Sequence, residues 1–347
     1  VRLALTCGEP GGIGAETLLK ALVAVGPPRP ETITYQLIGP RKVWSENASL
    51  TGIGLERPDL EIVEPQLATP LLDWQWGKVT DTSAEAALKA VLTAAGMALE
   101  GETDAIVTAP LTKEGLKRAG CSAPGHTELL AGLCPGNPRP TMMFYSGRLK
   151  VILVTTHLPL SEVSGKITKA AVLATIEAAH WGLVAELGIA TPRIGVCGLN
   201  PHAGENGQLG TEEIEQIIPA VELARAKGID ASGPQAADAL FARTAKGLSG
   251  VDAIVSMYHD QGLTAFKFAH FDDGVNVTLG LPLVRTSPDH GTALDIAGRG
   301  EATPDSTIEA IKLAVRIVQA RRDARQNAQG SALGDAEGGA AQGGDIR

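Results

Sequence analysis

Short apolar runs and longer helix-like stretches alternate along most of this chain. "LALTC" (residues 3–7) leads into the glycine-rich "GEPGGIG" and then "AETLLKALVAV", and "ITYQLIG" follows. The runs "DAIVTAP", "LKVILVTTH", "RIGVCGLNPH" and "VDAIVSMYHD" read as further buried strands. Helical spacing predicts helices over about residues 83–99, 168–187, 211–227 and 306–322, the first with Ser83 as N-cap and Gly101 as stop. This alternation predicts an α/β fold, a largely parallel sheet with helices on its faces. From about residue 324 the chain is Gly/Ala/Gln-rich with almost nothing large to bury, so a disordered tail is expected. No internal repeat is evident.

Composition sharpens this picture in a few places. At 347 residues and 44% hydrophobic content the chain can bury a large core and is expected to form two lobes. Aromatics make up only 3%, so Val, Ile, Leu and Ala must fill that core. A net charge of −9 argues against a nucleic-acid binder, which needs a basic surface to displace counterions. It leaves room for a small anionic substrate held by a few local cations. Cys7, Cys121, Cys134 and Cys197 are widely spaced, with no C-x-x-C pair, so no disulfide framework is implied and a reducing compartment fits. With no signal-like N-terminus and no apolar stretch approaching ~18 residues, a soluble cytoplasmic protein without membrane contact is expected.

The chemistry concentrates at strand ends. His157, His202 and His259 each follow a buried β run at its carboxyl end, where open α/β sheets bind their ligands. Three imidazoles meeting there can hold a divalent metal, Zn²⁺ above all, with positions left for substrate. Their spacing matches no local ligand motif and leaves open a hydrogen-bonded structural role for each. His126 and Thr127, in "APGHTELLAG", stand at an expected helix start, where backbone N–H groups and the dipole favour an anion or a simple cap serves. Lys267, Asn276 and Arg285 form a cation–amide–cation series of the kind that grips phosphate. Asp260, beside His259, is a candidate either to orient that imidazole or to accept a proton. Asp238 fits a helix cap; His180, His270 and His290 fit helix, loop and turn positions.

The glycine-rich loop has the outline of a dinucleotide site but lacks its fingerprint. Counting from Gly12 and Gly14, the third glycine of G-x-G-x-x-G falls on Thr17, and no acidic residue closes a strand about 20 residues on. The loop is expected to turn a strand tightly into a helix at the rim of the active-site cleft, where Glu9 and the helix N-terminus could meet a ligand.

Taken together, "GEPGGIG", "APGHTE", "VTTHLPLSEV", "CGLNPHAGENGQLGTEE", "GPQAADALF", "YHDQGL" and "GVNVTLGLPLVRTSPDHGTALDIAGRG" resemble the PdxA family of 4-hydroxythreonine-4-phosphate dehydrogenases. The resemblance covers about residues 3–318, weakest over 24–80 and after 323. The loop reads "GEPGGIGAE" where members often have "GDPAGIGPE", a change that keeps its charge and small size. The resemblance implies an α/β/α two-domain fold like isocitrate and isopropylmalate dehydrogenases, not Rossmann. Residues 1–128 plus 290–323 would make one domain and 129–289 the other, with 324–347 the tail.

It further implies a homodimer with active sites shared between subunits. His157, His202 and His259 would be the ligands of a Zn, Mg or Co ion, His259 coming across the interface from the other two. His126, Thr127, Lys267, Asn276 and Arg285 would contact substrate. The implied reaction is NAD- or NADP-dependent oxidation and decarboxylation of 4-phosphooxy-L-threonine in pyridoxal phosphate biosynthesis. Family relatives that act on phosphorylated four-carbon acids or an aromatic dihydrodiol, a zinc hydrolase, and a non-catalytic phosphometabolite-binding protein remain the competing readings.

Overall fold

A computed structural model describes residues 1–26, 33–71, 73–136 and 138–340, with side chains to residue 327. The strands are β1 (Arg2–Thr6), β2 (Thr34–Ile38), β3 (Leu60–Val63), β4 (Ala105–Thr108), β5 (Thr141–Tyr145), β6 (Lys150–Leu153), β7 (Ile194–Cys197), β8 (Ala231–Gln235), β9 (Ala253–Ser256), β10 (Val275–Leu279) and β11 (Arg285–Pro288). The helices are α1 (Gly14–Ala24), α2 (Arg41–Thr51), α3 (Asp81–Leu99), α4 (Lys113–Arg118), α5 (His126–Leu133), α6 (Leu160–Lys166), α7 (Lys169–Leu187), α8 (Ile218–Ala226), α9 (Ala237–Ala245), α10 (His259–Ala269) and α11 (Asp305–Ala340).

All eleven strands join one sheet in the order β3-β2-β1-β4-β11-β10-β5-β6-β9-β7-β8. The β3-to-β11 half is parallel, as is β6-β9-β7-β8, but β10 runs antiparallel to both β11 and β5, and β5 antiparallel to β6. The fold is therefore α/β with helices on both faces, and it departs from a Rossmann sheet in order and in direction. β11 lies in the stretch that the sequence assigns to the second domain, yet it pairs in parallel with β4 and so ties the two halves together.

Side-chain alternation along the central strands builds a core on each face. On β6, Val151 and Leu153 pack with Leu263 and Phe266 beneath α9 and α10, while Ile152 joins the larger cluster formed with α7 and α11. Burial of this apolar surface is the main stabilising term, roughly 25 cal/mol per Å² removed from water. Helix α7 is the one helix among the described residues long and apolar enough to cross a membrane by length and composition, contrary to the expectation that none would be. Here it packs along the sheet and against α8 and α11.

Several boundaries move. The N-cap of α3 is Thr80, whose hydroxyl accepts the Ser83 N–H while Ser83 reaches back to the Thr80 N–H, so Ser83 completes a capping box from inside the helix. Helix α11 continues past Arg322 to Ala340, through much of the stretch expected to be a tail. Residues 341–347 of that expected tail lie outside the described residues.

Candidate active site

A cavity of about 820 Å³ opens over the middle of the sheet. Its floor is one face of the central strands, where Asn276 of β10 pairs with Phe144 of β5 on one side and Ser287 of β11 on the other. Its walls come from the segments that follow β1, β4, β6, β9 and β11. His126, Thr127, His157, His259, Lys267, Asn276 and Arg285, seven of the eight metal and substrate candidates, all line this one cavity.

Parallel pairing of β6 with β9 brings two of the histidines together. Beyond the strands, Thr155 donates both its N–H (3.1 Å) and its hydroxyl (2.8 Å) to the Met257 carbonyl. Thr155 stands two residues before His157, and Met257 two before His259. The rings meet with centroids 5.7 Å apart. Burial, with the charges of Lys113 and His259, pushes the His157 pKa below its usual value, so the ring stays neutral and able to ligate. His259 opens α10, and its Nδ1 lies 2.7 Å from Asp260 Oδ1. The carboxylate takes the Nδ1–H and leaves Nε2 free to bind a metal. Asp260 is itself 81% exposed and does not line the cavity, a position in keeping with an orienting group.

His202 is elsewhere. It sits outside the cavity wall, 71% exposed, in the turn Pro201–Gly207. His202, Ala203, Gly204, Glu205 and Asn206 all have positive φ, a left-handed turn that sequence patterning gives no means to foresee. No cluster of three or more potential metal ligands forms among the described residues. Within one chain, then, His157 stands beside His259 and apart from His202, whereas the expected division groups His157 with His202. His157 and His259 share one chain because their strands are neighbours, and His202 is the histidine left out.

The same cavity holds an anion clamp. Arg285 is 4% exposed and its guanidinium is held in place on several sides. Nε and Nη2 donate to Thr108 Oγ1 at 3.0 and 2.9 Å, and Nη1 donates to Asn276 Oδ1 at 3.1 Å and Thr278 Oγ1 at 3.2 Å. Burial draws its pKa down to about 10, which leaves it cationic at neutral pH. His126, the first residue of α5, has an Nε2 that is buried without a partner, and burial beside Arg285 holds its pKa well below the usual value. Lys267 lies 3.4 Å from Asp289 Oδ2 and donates to the Asp289 carbonyl at 3.3 Å. Burial pushes the Asp289 carboxyl up, with Lys267 opposing.

Sequence reading missed Thr108, Thr278 and Asp289, whose roles depend on strands distant in the chain. It also placed His290 in a turn, whereas His290 lines the cavity with a buried, unpartnered Nε2. Asp238 is an exposed residue in the first turn of α9 whose Oδ1 accepts the Ala239 N–H, in keeping with a cap. Cys7, Cys134 and Cys197 are buried free thiols, and burial takes Cys7 and Cys197 up to about 12.

The glycine loop turns out to be a packing device. A Cβ at Gly8 (φ +68°) would lie 2.5 Å from the Pro110 carbonyl oxygen, at Gly14 2.6 Å from that of Cys7, and at Gly12 2.8 Å from that of Thr292. Glu9, expected to face a ligand, is 1% exposed beneath this loop and does not line the cavity. Ile13 is the loop residue that does.

A cleft over the centre of a mixed α/β sheet, lined by paired histidines and an arginine-centred anion clamp, defines an α/β enzyme of small anionic metabolites. The chain belongs to the PdxA family. The family's model, described as pyridoxal phosphate biosynthetic protein PdxA, matches residues 27–314. A 4-hydroxythreonine-4-phosphate dehydrogenase of Desulforapulum autotrophicum is 42% identical over 329 residues, covering 90% of this chain and 94% of its own. One of Ralstonia nicotianae is 44% identical over 338 residues, covering 92% and 98%. The crystal structure of the Klebsiella pneumoniae enzyme of that name superposes with a TM-score of 0.80 at 38% identity, covering 92% of this chain and 98% of the other. A terephthalate 1,2-cis-dihydrodiol dehydrogenase of Burkholderia xenovorans shares the fold at 28% identity and a TM-score of 0.63, covering 91% and 97%. With these dehydrogenases, the chain is an oxidoreductase.

Proposed function

We propose that this chain catalyses oxidation and decarboxylation of 4-phosphooxy-L-threonine with NAD⁺ or NADP⁺, giving 3-amino-2-oxopropyl phosphate for pyridoxal phosphate synthesis. The observation that carries this reading is that Arg285, Asn276 and Lys267 line one cavity together with the His157–His259 pair. The alternative of an unphosphorylated dihydrodiol is disfavoured because a guanidinium fixed by three neighbours and an orphaned His126 Nε2 suit a phosphate.

The donor set fits a divalent ion of the Zn, Mg or Co kind. His157 and His259 would hold it together with His202 of a second copy, so the active unit would be a homodimer with shared sites. Exposed apolar side chains at Leu158, beside His157, and Phe271, in the cavity wall, favour a covering partner. Such an ion would lower the pKa of the substrate hydroxyl and offset the oxygen charge that develops as CO₂ leaves. Ile13, His290, Ala293, Ile296 and Thr303 line the same cavity and would hold the nicotinamide, whose chemistry there would be hydride acceptance.

The chain's own residues bind and orient. Arg285 would offer a fixed positive charge, most of its N–H groups being held by Thr108, Asn276 and Thr278, with Lys267 a point charge and Asn276 an amide to the phosphate, while His126 and Thr127 close the start of α5 over it. Asp260 fixes the tautomer of His259.

The deciding experiment follows reduced nicotinamide by absorbance with the purified chain, divalent metal and a panel of phosphorylated hydroxy acids. Metal-dependent reduction with 4-phosphooxy-L-threonine is expected. Turnover without nicotinamide would instead support a hydrolase, and reduction only with another substrate would move the specificity.

A further inference from the structure

The turn Pro201–Gly207 is costly to build. Outside glycine, left-handed backbone brings Cβ too close to the following carbonyl oxygen, and here His202, Ala203, Glu205 and Asn206 all adopt it. Such a conformation persists only where its surroundings over-determine it. The surroundings centre on one side chain. Glu213, 2% exposed, accepts the N–H groups of Leu199 (2.7 Å) and Asn200 (2.8 Å) on Oε1 and the Asn200 side-chain amide (2.9 Å) on Oε2. These bonds hold the two residues that lead into the turn.

The turn is also fitted closely around that carboxylate. A Cβ at Gly204 would lie 2.6 Å from Glu213 Oε2, and one at Gly198 would lie 2.8 Å from Ala203 Cα and 3.0 Å from Glu213 Oε1. The second acid of the pair, Glu212, accepts from Asn200 Nδ2 (2.8 Å) and from the Ser164 hydroxyl (2.6 Å), anchoring the same loop to α6. What this bracing presents outward is His202.

We infer that Glu213 is a positioning residue: its buried carboxylate locks the left-handed turn and thereby fixes where His202 stands as the third metal ligand. This rests on the reading above that His202 completes the ligand set in a second copy. Partners that orient metal ligands typically matter by about 10- to 100-fold in metal affinity.

The test uses Co²⁺ as probe, read by its visible absorption and by competition titration on the full-length chain. Inorganic phosphate binding to the Arg285 clamp serves as the control for fold. Glu213→Ala is expected to weaken Co²⁺ by about 10- to 100-fold. It should shift the Co²⁺ spectrum as His202→Ala does and leave phosphate affinity unchanged. Glu213→Gln, which keeps Oε1 for both main-chain donors, should recover most of the loss.

Wild-type Co²⁺ binding by Glu213→Ala, alongside loss in His202→Ala, would overturn the inference while leaving the metal site intact. Unchanged Co²⁺ binding in His202→Ala would remove the metal reading itself, and the role of Glu213 with it. Should Glu213→Ala not fold, Gly204→Ala presses on the same carboxylate from the turn side. It should weaken Co²⁺ likewise, and wild-type affinity in that variant would overturn the proposal.

Discussion

The imidazoles of His157 and His259 stand with their centroids 5.7 Å apart, although they belong to different strand–loop units. The double hydrogen bond from Thr155 to the Met257 carbonyl sets this distance, because each histidine follows its partner in that bond by two residues. On the metal reading proposed above, a pair so placed would offer two ligands and need a third.

His157→Ala, His259→Ala and His202→Ala should each abolish nicotinamide reduction, and a strong chelator should do the same to the wild type. Mixing His157→Ala with His202→Ala chains tests the shared site. Only mixed dimers contain a complete ligand set, and only at one of their two sites, so random reassociation should restore about a quarter of wild-type activity. No recovery in verified mixed dimers would place His157 and His202 in the same chain, with His259 free to come from either.

Asp260→Asn should weaken metal binding by about 10- to 100-fold through a loosened His259. The acid limb of the pH–rate profile should keep its midpoint once metal is saturating. A vanished acid limb would identify Asp260 as the base after all.

Arg285→Lys should raise KM for the phosphorylated substrate strongly and change kcat less, since an ammonium cannot reproduce the fork or its bonds to Thr108, Thr278 and Asn276. Thr108→Val should cost about 1–3 kcal/mol of stability by leaving buried guanidinium N–H groups without their acceptor. Chemical denaturation and steady-state kinetics measure the two effects separately.

The depressed pKa of His126 carries a pH dependence of known sign. The unfolded chain binds the proton near the ordinary histidine value, and the folded protein resists it until lower pH. The unfolded state therefore gains protons first, and stability should fall as pH drops below that ordinary value. His126→Gln should flatten this slope between neutral and mildly acidic pH, by at most about 1.4 kcal/mol per pH unit. An unchanged slope in thermal melts would show that His126 is protonated in the folded state.

Gly14→Ala should destabilise the fold by about 1–3 kcal/mol, because its Cβ would press on the Cys7 carbonyl and the Ala109 methyl. Nicotinamide affinity should hold in the folded fraction. A selective loss of cofactor binding would restore the loop to a direct role.

Much of the fold was legible because burial leaves a mark on sequence. Fully buried strands such as "AIVT" and "AIVS" must be apolar along their length, so their positions, and the histidine that follows, can be read without coordinates. The helix at Thr168–Leu187 announced itself through Thr168, whose hydroxyl caps Ala171. The α3 cap slipped by three residues because Thr80 and Ser83 are chemically equivalent as caps, and only the backbone angle at Thr80 decides between them. The C-terminal helix was underestimated because composition reports what a segment can bury, while helix propensity needs nothing buried.

By itself, the sequence determined the α/β class, the candidate residues for metal and phosphate, and, through "SPDHGTALDIAGRG" and its companions, the family. Only the tertiary structure decided which of those residues meet. The pairing of β6 with β9 put His157 beside His259, the antiparallel entry of β10 set Asn276 next to Arg285, and a left-handed turn braced by Glu213 carried His202 away from both. Strand order and register arise from contacts between segments far apart in the chain, and local pattern holds no record of them.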